Sequence, residues 1–327
     1  MKYTKQDAKA YSRKNFRGIW AAALTPFKPD YSIDEAGLRS NLRHWSRDLG
    51  IDGVFIGGKQ GEFFSLSIEE RKRLFDIAAD EASREGFGTI MSCSDQNMDV
   101  VLDLAKHAQA VGGDYIVVHA PVLHFLRAQD ETLYEYYKYI SSQVDIGIAL
   151  WSHEDSGYLM SPELCARVAE LPNIVAIKYS VPREMYAKLT RMAGDKILVS
   201  TASEEEWFDN IVELGWQLYL CSNPPFLMQT KLDRRMRQYT DLAFEGKIDE
   251  ARKIRDSLDP VRKALKQTRP AEKPPAHAKY WQHLLGQAAG PVRRPMLELT
   301  DTEKASVREA LLNCGLKLEA VPKSSAA

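Results

Sequence analysis

The chain of 327 residues contains no apolar run approaching the roughly 20 residues needed to cross a bilayer as a helix, so no membrane role is expected. Its charged, polar start, Met1-Lys-Tyr-Thr-Lys-Gln-Asp7, has no secretory core. An excess of one charge is also missing. Forty-four Lys and Arg stand against 45 Asp and Glu, a formal net charge of −1, which leaves no extended footprint for nucleic acid or an anionic membrane. Cysteine is scarce: Cys93, Cys165, Cys221 and Cys314 are too widely spaced for a metal signature. Together these absences point to a cytoplasmic protein with reduced thiols and small-molecule partners. No low-complexity segment occurs beyond the Ser-Ser-Ala-Ala ending.

What is present is a regular alternation. Runs of β-branched and apolar residues predict strands at 18–24, 53–57, 89–92, 115–119, 147–151, 174–178, 197–200 and 217–221. Segments of 3.6-residue period predict helices at 33–47, 67–85, 98–111, 130–143, 161–170, 183–193, 204–214 and 226–245. Ser67-Ile-Glu-Glu70 and Ser161-Pro-Glu-Leu164 carry helix-start signals, a capping side chain and, in the second, proline in the first turn. Eight βα repeats in one run predict a TIM (β/α)8 barrel. Past residue 245 the alternation stops. Helical patterns at 248–265, 276–285 and 300–313 are interrupted by the proline-rich stretch 267–275, and the last opens on the capping-box spacing Thr300-Asp-Thr-Glu303. The expected organisation is a poorly ordered N-terminal extension at 1–15, a barrel at 16–245, a C-terminal helical extension at 246–320 and a disordered tail at 321–327.

One strand carries chemistry. Asn173-Ile-Val-Ala-Ile-Lys178 is a short apolar run that delivers an amine to the C-terminal end of the sixth predicted strand. Active sites of TIM barrels lie at that end. Desolvation disfavours an ammonium, so burial there makes the neutral, nucleophilic amine accessible near neutral pH. Such a lysine attacks a carbonyl and forms a Schiff base, an electron sink for making or breaking a neighbouring bond.

Gly58-Lys-Gln-Gly-Glu62, Leu66-Ser67 with Glu69-Glu70-Arg71, the Lys178 hexamer, Cys221-Ser-Asn-Pro-Pro225 and Gly290-Pro-Val-Arg-Arg-Pro295 follow one another with a familiar order and spacing. Over roughly residues 17–312 the chain resembles the dihydrodipicolinate synthase and N-acetylneuraminate lyase family, class I Schiff-base aldolases on a TIM barrel with a C-terminal helical extension. The resemblance implies that Lys178 is the Schiff-base lysine, that no metal or organic cofactor is required, that a 2-oxo acid, often pyruvate, is substrate or product, and that the chain assembles as a homo-oligomer, commonly a tetramer.

The departures from the family pattern set the remaining expectations. Lys59 and Gln60 replace the two hydroxyl residues that hold the 2-oxo acid carboxylate in relatives, and a cation there binds a carboxylate by charge. After the fourth strand the chain reads Ala120-Pro-Val-Leu123-His124, with Leu123 in the place of the proton-shuttling tyrosine. His124, His153 and His119 are candidates to replace it, because imidazole titrates near neutral pH. Tyr179 alternates away from Lys178 and is the weaker choice. The segment Trp151-Ser-His-Glu-Asp155 stands where relatives have Tyr-Asn-Xaa-Pro, and the synthase branch's arginine for a distal carboxylate is missing, which argues against lysine biosynthesis. Trp151 with Phe63, Phe64, Phe125 and Tyr158 predicts an aromatic mouth suited to a flat or apolar aldehyde, while polar groups at the rim are few: Gln60, Ser152, Glu154, Asp155 and Ser203. Lys59, Gln60, Trp151, Ser203 and Ser222 are the expected substrate contacts. The reading is an aldolase or hydratase-aldolase of a 2-oxo acid, with a sugar-acid lyase or dehydratase and a catalytically silent binding barrel as the alternatives.

Overall fold

The computed structural model describes residues 1–123, 128–156, 158–220 and 222–319. His124, Phe125, Cys221 and the tail at 321–327 lie outside the described residues.

Eight strands, β1 Gly18–Ala22, β2 Gly53–Ile56, β3 Gly88–Ser92, β4 Tyr115–His119, β5 Gly147–Ser152, β6 Ile174–Tyr179, β7 Leu198–Ser200 and β8 Leu218–Leu220, form one sheet in the order β7-β6-β5-β4-β3-β2-β1-β8. Every named ladder is parallel, and Ser200 Oγ accepts a hydrogen bond from Leu220 N at 2.7 Å across the β7–β8 seam. This is a TIM barrel. Its outer layer is formed by α2 Glu35–Arg47, α3 Ile68–Glu85, α4 Met98–Ala110, α5 Asp130–Gln143, α6 Pro162–Val168, α7 Arg183–Ala193 and α8 Trp207–Leu214, with α1 Ala8–Asn15 preceding the first strand.

The period-2 alternation of strand side chains divides the core in two. Ile116, Val118, Ile148, Leu150, Ile177 and Tyr179 point outward into the layer beneath the helices, and Trp20, Phe55, Val117, Ala149, Trp151, Ala176 and Leu220 fill the interior. At the lower, N-terminal end Trp20 occupies the axis because Gly53 and Gly88 make room for it: a Cβ on either would lie 2.4 or 2.1 Å from the indole ring.

The N-terminal extension corrects the expectation of poor order. Within its polar sequence Tyr3, Tyr11 and Phe16 pack on the barrel floor, Tyr3 against Tyr11 with centroids 4.5 Å apart and Phe16 stacked on Tyr115 at 4.3 Å. Tyr3 donates to Asp114 O and accepts from Gly147 N at 2.8 Å, closing the ends of two strands. Mean polarity hid three anchoring rings.

Helix starts at Ser67, Ser161 and Thr300 are capped as their sequences predict, the first and last by reciprocal capping boxes. Two long helices are broken. In place of one helix at 226–245 stand α9 Pro224–Leu227 and α10 Arg235–Phe244, because Thr230 and Asp233 side chains take up the backbone N–H groups of Leu232 and Arg235 between them. The segment 248–265 divides into α11 Ile248–Asp256 and α12 Asp259–Gln267, with Pro260 in the first turn of the second. Then follow α13 Pro274–Leu284 and α14 Asp301–Asn313. Among the described residues no helix is long and apolar enough to cross a membrane.

Candidate active site

The ladders at the upper, C-terminal end of the barrel align four side chains in one row. His119 on β4 pairs with Trp151 on β5, Trp151 with Lys178 on β6, and Lys178 with Ser200 on β7. All four share the inward parity. Lys178 is 4% exposed, and its Nζ lies 5.0 Å from the Phe55 ring centroid and 5.1 Å from that of Trp151. Phe55 and Trp151 themselves meet edge to face at 5.7 Å. A buried amine between two aromatic faces is held by cation–π attraction while charged and by an apolar surface while neutral.

His119 lies against Trp151 with the ring planes tilted by 59° and centroids 4.7 Å apart. Its Nε2 and Trp151 Nε1 are both buried without a hydrogen-bond partner among the described residues. Buried polar atoms are rarely left unpaired, so two on neighbouring rings make this a candidate place for a polar ligand. Burial pushes the His119 imidazole down to about 4, with His153, Lys59 and Lys178 adding to the effect and Asp155 opposing it.

Above the row, a bridge of charge crosses the mouth. Lys59, in the turn after β2, is ion-paired with Asp155, in the turn after β5. His153 Nδ1 lies 3.3 Å from Asp155 Oδ2 and accepts a hydrogen bond from Asp155 N at 3.1 Å. Burial lowers His153 from the ordinary histidine value, Asp155 resists that, and Lys59 and Lys178 reinforce it. Burial works to raise Asp155, but Lys59 and His153 hold it below the usual carboxylate range.

The sequence-predicted residues therefore divide. Lys178, Trp151, His153 and Lys59 come together, with His119 beside them. Gln60 points toward the loop after β8, its Oε1 3.4 Å from Asn223 Nδ2. Ser222 offers its main-chain oxygen to Ala22 N at 2.8 Å, and Ser203 is half-buried between β7 and α8 with no side-chain hydrogen bond to the row among the described residues. Ser152 faces away from the interior, its Oγ accepting from Met160 N at 3.0 Å. Tyr179 is turned outward as expected, its hydroxyl on Met160 O.

The aromatic mouth needs correction. Phe63 lies over the Arg71 guanidinium, Phe64 is 53% exposed, and Tyr158 donates to Asp130, so only Trp151 of the described predicted rings lines the row. Phe55 was missed, although its two-residue step from Gly53 in β2 gives it inward parity. The Lys59–Asp155 pairing has no sequence signal, since the two are 96 residues apart.

The other motifs prove to be scaffolding. Glu62, fully buried in a left-handed turn at φ +61°, lies 2.5 Å from Lys279 Nζ of α13 and accepts from Arg293 N at 3.0 Å. Arg293 also clamps both oxygens of Glu70 and reaches Ser65 O at 3.0 Å. Arg71 binds Ser92 O and Ser94 O, and Ser94 Oγ accepts from His119 N at 2.9 Å. The C-terminal helices thus fix the loop that carries Lys59 and Gln60.

A model of the dihydrodipicolinate synthetase family matches residues 15–313. The chain belongs to that family. It is 28% identical over 298 residues, 90% of this chain and 96% of the relative, to the 4-hydroxy-tetrahydrodipicolinate synthase of Methanothrix thermoacetophila. Among solved structures, it is similar to CdNal from Clostridium difficile, crystallised in complex with mannosamine, at 26% identity and a TM-score of 0.77 over 90% of this chain and 97% of that one. YagE, a prophage protein of E. coli K12 solved with pyruvate, is 22% identical with a TM-score of 0.82 over 92% and 99%, a likeness of fold. Dihydrodipicolinate synthetase family members are class I Schiff-base lyases, and this chain is a lyase of that aldolase type. Among the described residues no group of three or more His, Cys, Asp or Glu is arranged to hold a metal ion.

Proposed function

We propose that this lyase is an aldolase or hydratase-aldolase acting on a 2-oxo acid, with pyruvate as product or donor and Lys178 as the Schiff-base lysine. The observation that carries the reading is the position of Lys178, a buried amine at the inward end of β6 between Phe55 and Trp151. The neutral amine adds to the C2 carbonyl, and with one proton taken up water leaves, giving an iminium. A base takes the proton of the C4 hydroxyl, the C3–C4 bond breaks, and its electron pair passes into the iminium to form an enamine and an aldehyde. Protonation at C3 and hydrolysis release the 2-oxo acid and regenerate the amine.

Proton transfer falls to His153 and His119, the imidazoles beside Lys178 and Trp151; His124 is the sequence candidate outside the described residues. Lys59 and Gln60 take the substrate carboxylate, with Trp151, Ser203 and Ser222 as further contacts. The reaction needs no cofactor, and a cytoplasmic homotetramer is the setting that the family resemblance supplies. Phe55 and Trp151 alone support an apolar aldehyde partner. A sugar-acid lyase or dehydratase is the second reading, favoured by Trp151 Nε1 and His119 Nε2, which a hydroxylated substrate would satisfy.

The test is intact-protein mass after borohydride reduction with pyruvate, other 2-oxo acids and aldehydes, for wild type and Lys178→Ala. A pyruvate adduct lost in the variant is expected. No adduct with any carbonyl would remove the class I mechanism, and a preference for sugar acids in turnover would select the second reading.

A further inference from the structure

The ion pair across the barrel mouth bears on how the substrate enters, and the inference drawn from it rests on the Schiff-base reading for its substrate class. Lys59 is the cation expected to grip the 2-oxo acid, yet its Nζ already holds a carboxylate, that of Asp155. The two side chains are 46% and 43% exposed, so the pair is accessible and weakly held, as exposed pairs are. Asp155 also has a second partner waiting: His153 Nδ1 lies 3.3 Å from the same Oδ2 that meets Lys59.

We propose that Asp155 is an internal stand-in for the substrate's carboxylate, and that a 2-oxo acid anion binds by displacing it from Lys59 onto His153. In the resting state His153 Nδ1 accepts from Asp155 N at 3.1 Å and so carries no proton. Once the incoming carboxylate neutralises Lys59, the released Asp155 faces the imidazole without competition. His153 then takes a proton from solvent at Nδ1 and donates it to Asp155. The charges acting on His153 are Asp155 and Glu154 from its own loop, Lys59 from the loop after β2, His119 from β4 and Lys178 from β6. Occupation of Lys59 by an anion removes one of the cations that hold this imidazole neutral. Anion binding is therefore coupled to proton uptake and strengthens as pH falls.

Because exposed pairs are weak, removing Asp155 should help binding modestly, while removing Lys59 deletes a charge-assisted contact. Lactate, which has the carboxylate and no carbonyl, reads this grip by titration calorimetry without a Schiff base; pyruvate, trapped with borohydride, reads both steps. Asp155→Asn should bind lactate about 2- to 5-fold more tightly and reach half-maximal pyruvate adduct at a correspondingly lower concentration. Lys59→Met should weaken both by about 10-fold or more, and Lys59→Arg should retain most of the grip. In the Lys59→Met background, Asp155→Asn should change nothing. Wild type should take up protons on lactate binding, seen as heats that differ between two buffers, and Asp155→Asn should take up fewer. Weaker binding in Asp155→Asn, an Asp155 effect that survives without Lys59, or no lactate binding to either protein would overturn the proposal. The expected lactate results with no pyruvate adduct would instead sink the Schiff-base reading and leave the carboxylate exchange standing.

Discussion

The two ends of the barrel are built from the same eight strands with the same inward parity, and they differ in what that parity exposes. At the lower end Trp20, Phe16 and Tyr115 interlock at 4.4 and 4.3 Å, glycines 53 and 88 yield space to the indole, and Tyr3 seals the strand ends. At the upper end the corresponding positions are His119, Trp151, Lys178 and Ser200, overlaid by Lys59, Asp155 and His153. One end fills its interior positions with packed rings, although the buried Tyr115 hydroxyl there also has no hydrogen-bond partner among the described residues. The other holds cations, imidazoles and, among the described residues, two unpaired polar atoms close together, an arrangement that needs well-packed support elsewhere.

The comparison is broken most severely by one substitution at each end. Lys178→Ala should lower turnover by about 10³-fold or more while the thermal midpoint stays within a few degrees of wild type. Trp20→Ala should do the reverse, removing about 3–5 kcal/mol of stability through the cavity left on the axis, with half-maximal adduct formation in the surviving folded protein unchanged. Thermal melts and borohydride trapping on both variants decide the matter. A Trp20→Ala protein that folds but forms no adduct would show that the lower plug sets the geometry of the row.

A second break of stability lies in the strap that joins the C-terminal helices to the upper end. Burial lowers Lys279 below the usual ammonium value although Glu62 opposes it, and Lys279 Nζ also donates to Pro291 O at 2.7 Å. Removing one member strands the other, so Lys279→Met should cost about 3–5 kcal/mol in urea unfolding. Glu62→Gln combined with Lys279→Met should cost clearly less than the two single effects summed. Additive losses would mean that each side chain acts through separate partners, and the loop bearing Lys59 would then owe its position to Arg293 and Glu70.

The division between what could and could not be read from the chain follows from the range of the interactions. Strand parity and helix caps are local, so the barrel, the inward, buried place of Lys178 at the end of β6 and the capped starts at Ser67, Ser161 and Thr300 were legible. The helix breaks at Thr230–Asp233 and at Pro260 are local too, but a 3.6-residue period runs through them and outweighs the turn chemistry. The N-terminal segment was misjudged because three rings in a polar stretch have no effect on its average character. Phe55 was within reach of a parity argument, whereas Lys59 with Asp155 and Glu62 with Lys279 are pairings across the fold. Retention of Glu70, Arg71 and Arg293 was read as family resemblance; their contacts show them holding loops and strand ends.

The narrowest test of the contrast concerns His119, a half-buried upper-row residue whose Nε2 is shut off from solvent. Its imidazole is pushed down to about 4 from the ordinary histidine value of about 6.5, chiefly because burial disfavours the charged form. A depressed folded value means that the neutral ring's contribution is complete above about pH 6.5 and is lost as pH falls toward 4, about 3 kcal/mol over that window. His277, buried in α13 with a folded value also near 4, adds a loss over the same range. His119→Leu removes only the first, so the stability of the variant relative to wild type should rise by about 3 kcal/mol between pH 6.5 and 4, with the His277 contribution cancelling. At neutral pH the same variant should lose about 10²- to 10⁴-fold in turnover if Nε2 moves a proton. Parallel stability curves for the two proteins would show that the ring is charged or solvated in the folded state. An unchanged rate would leave His153 to carry the proton alone.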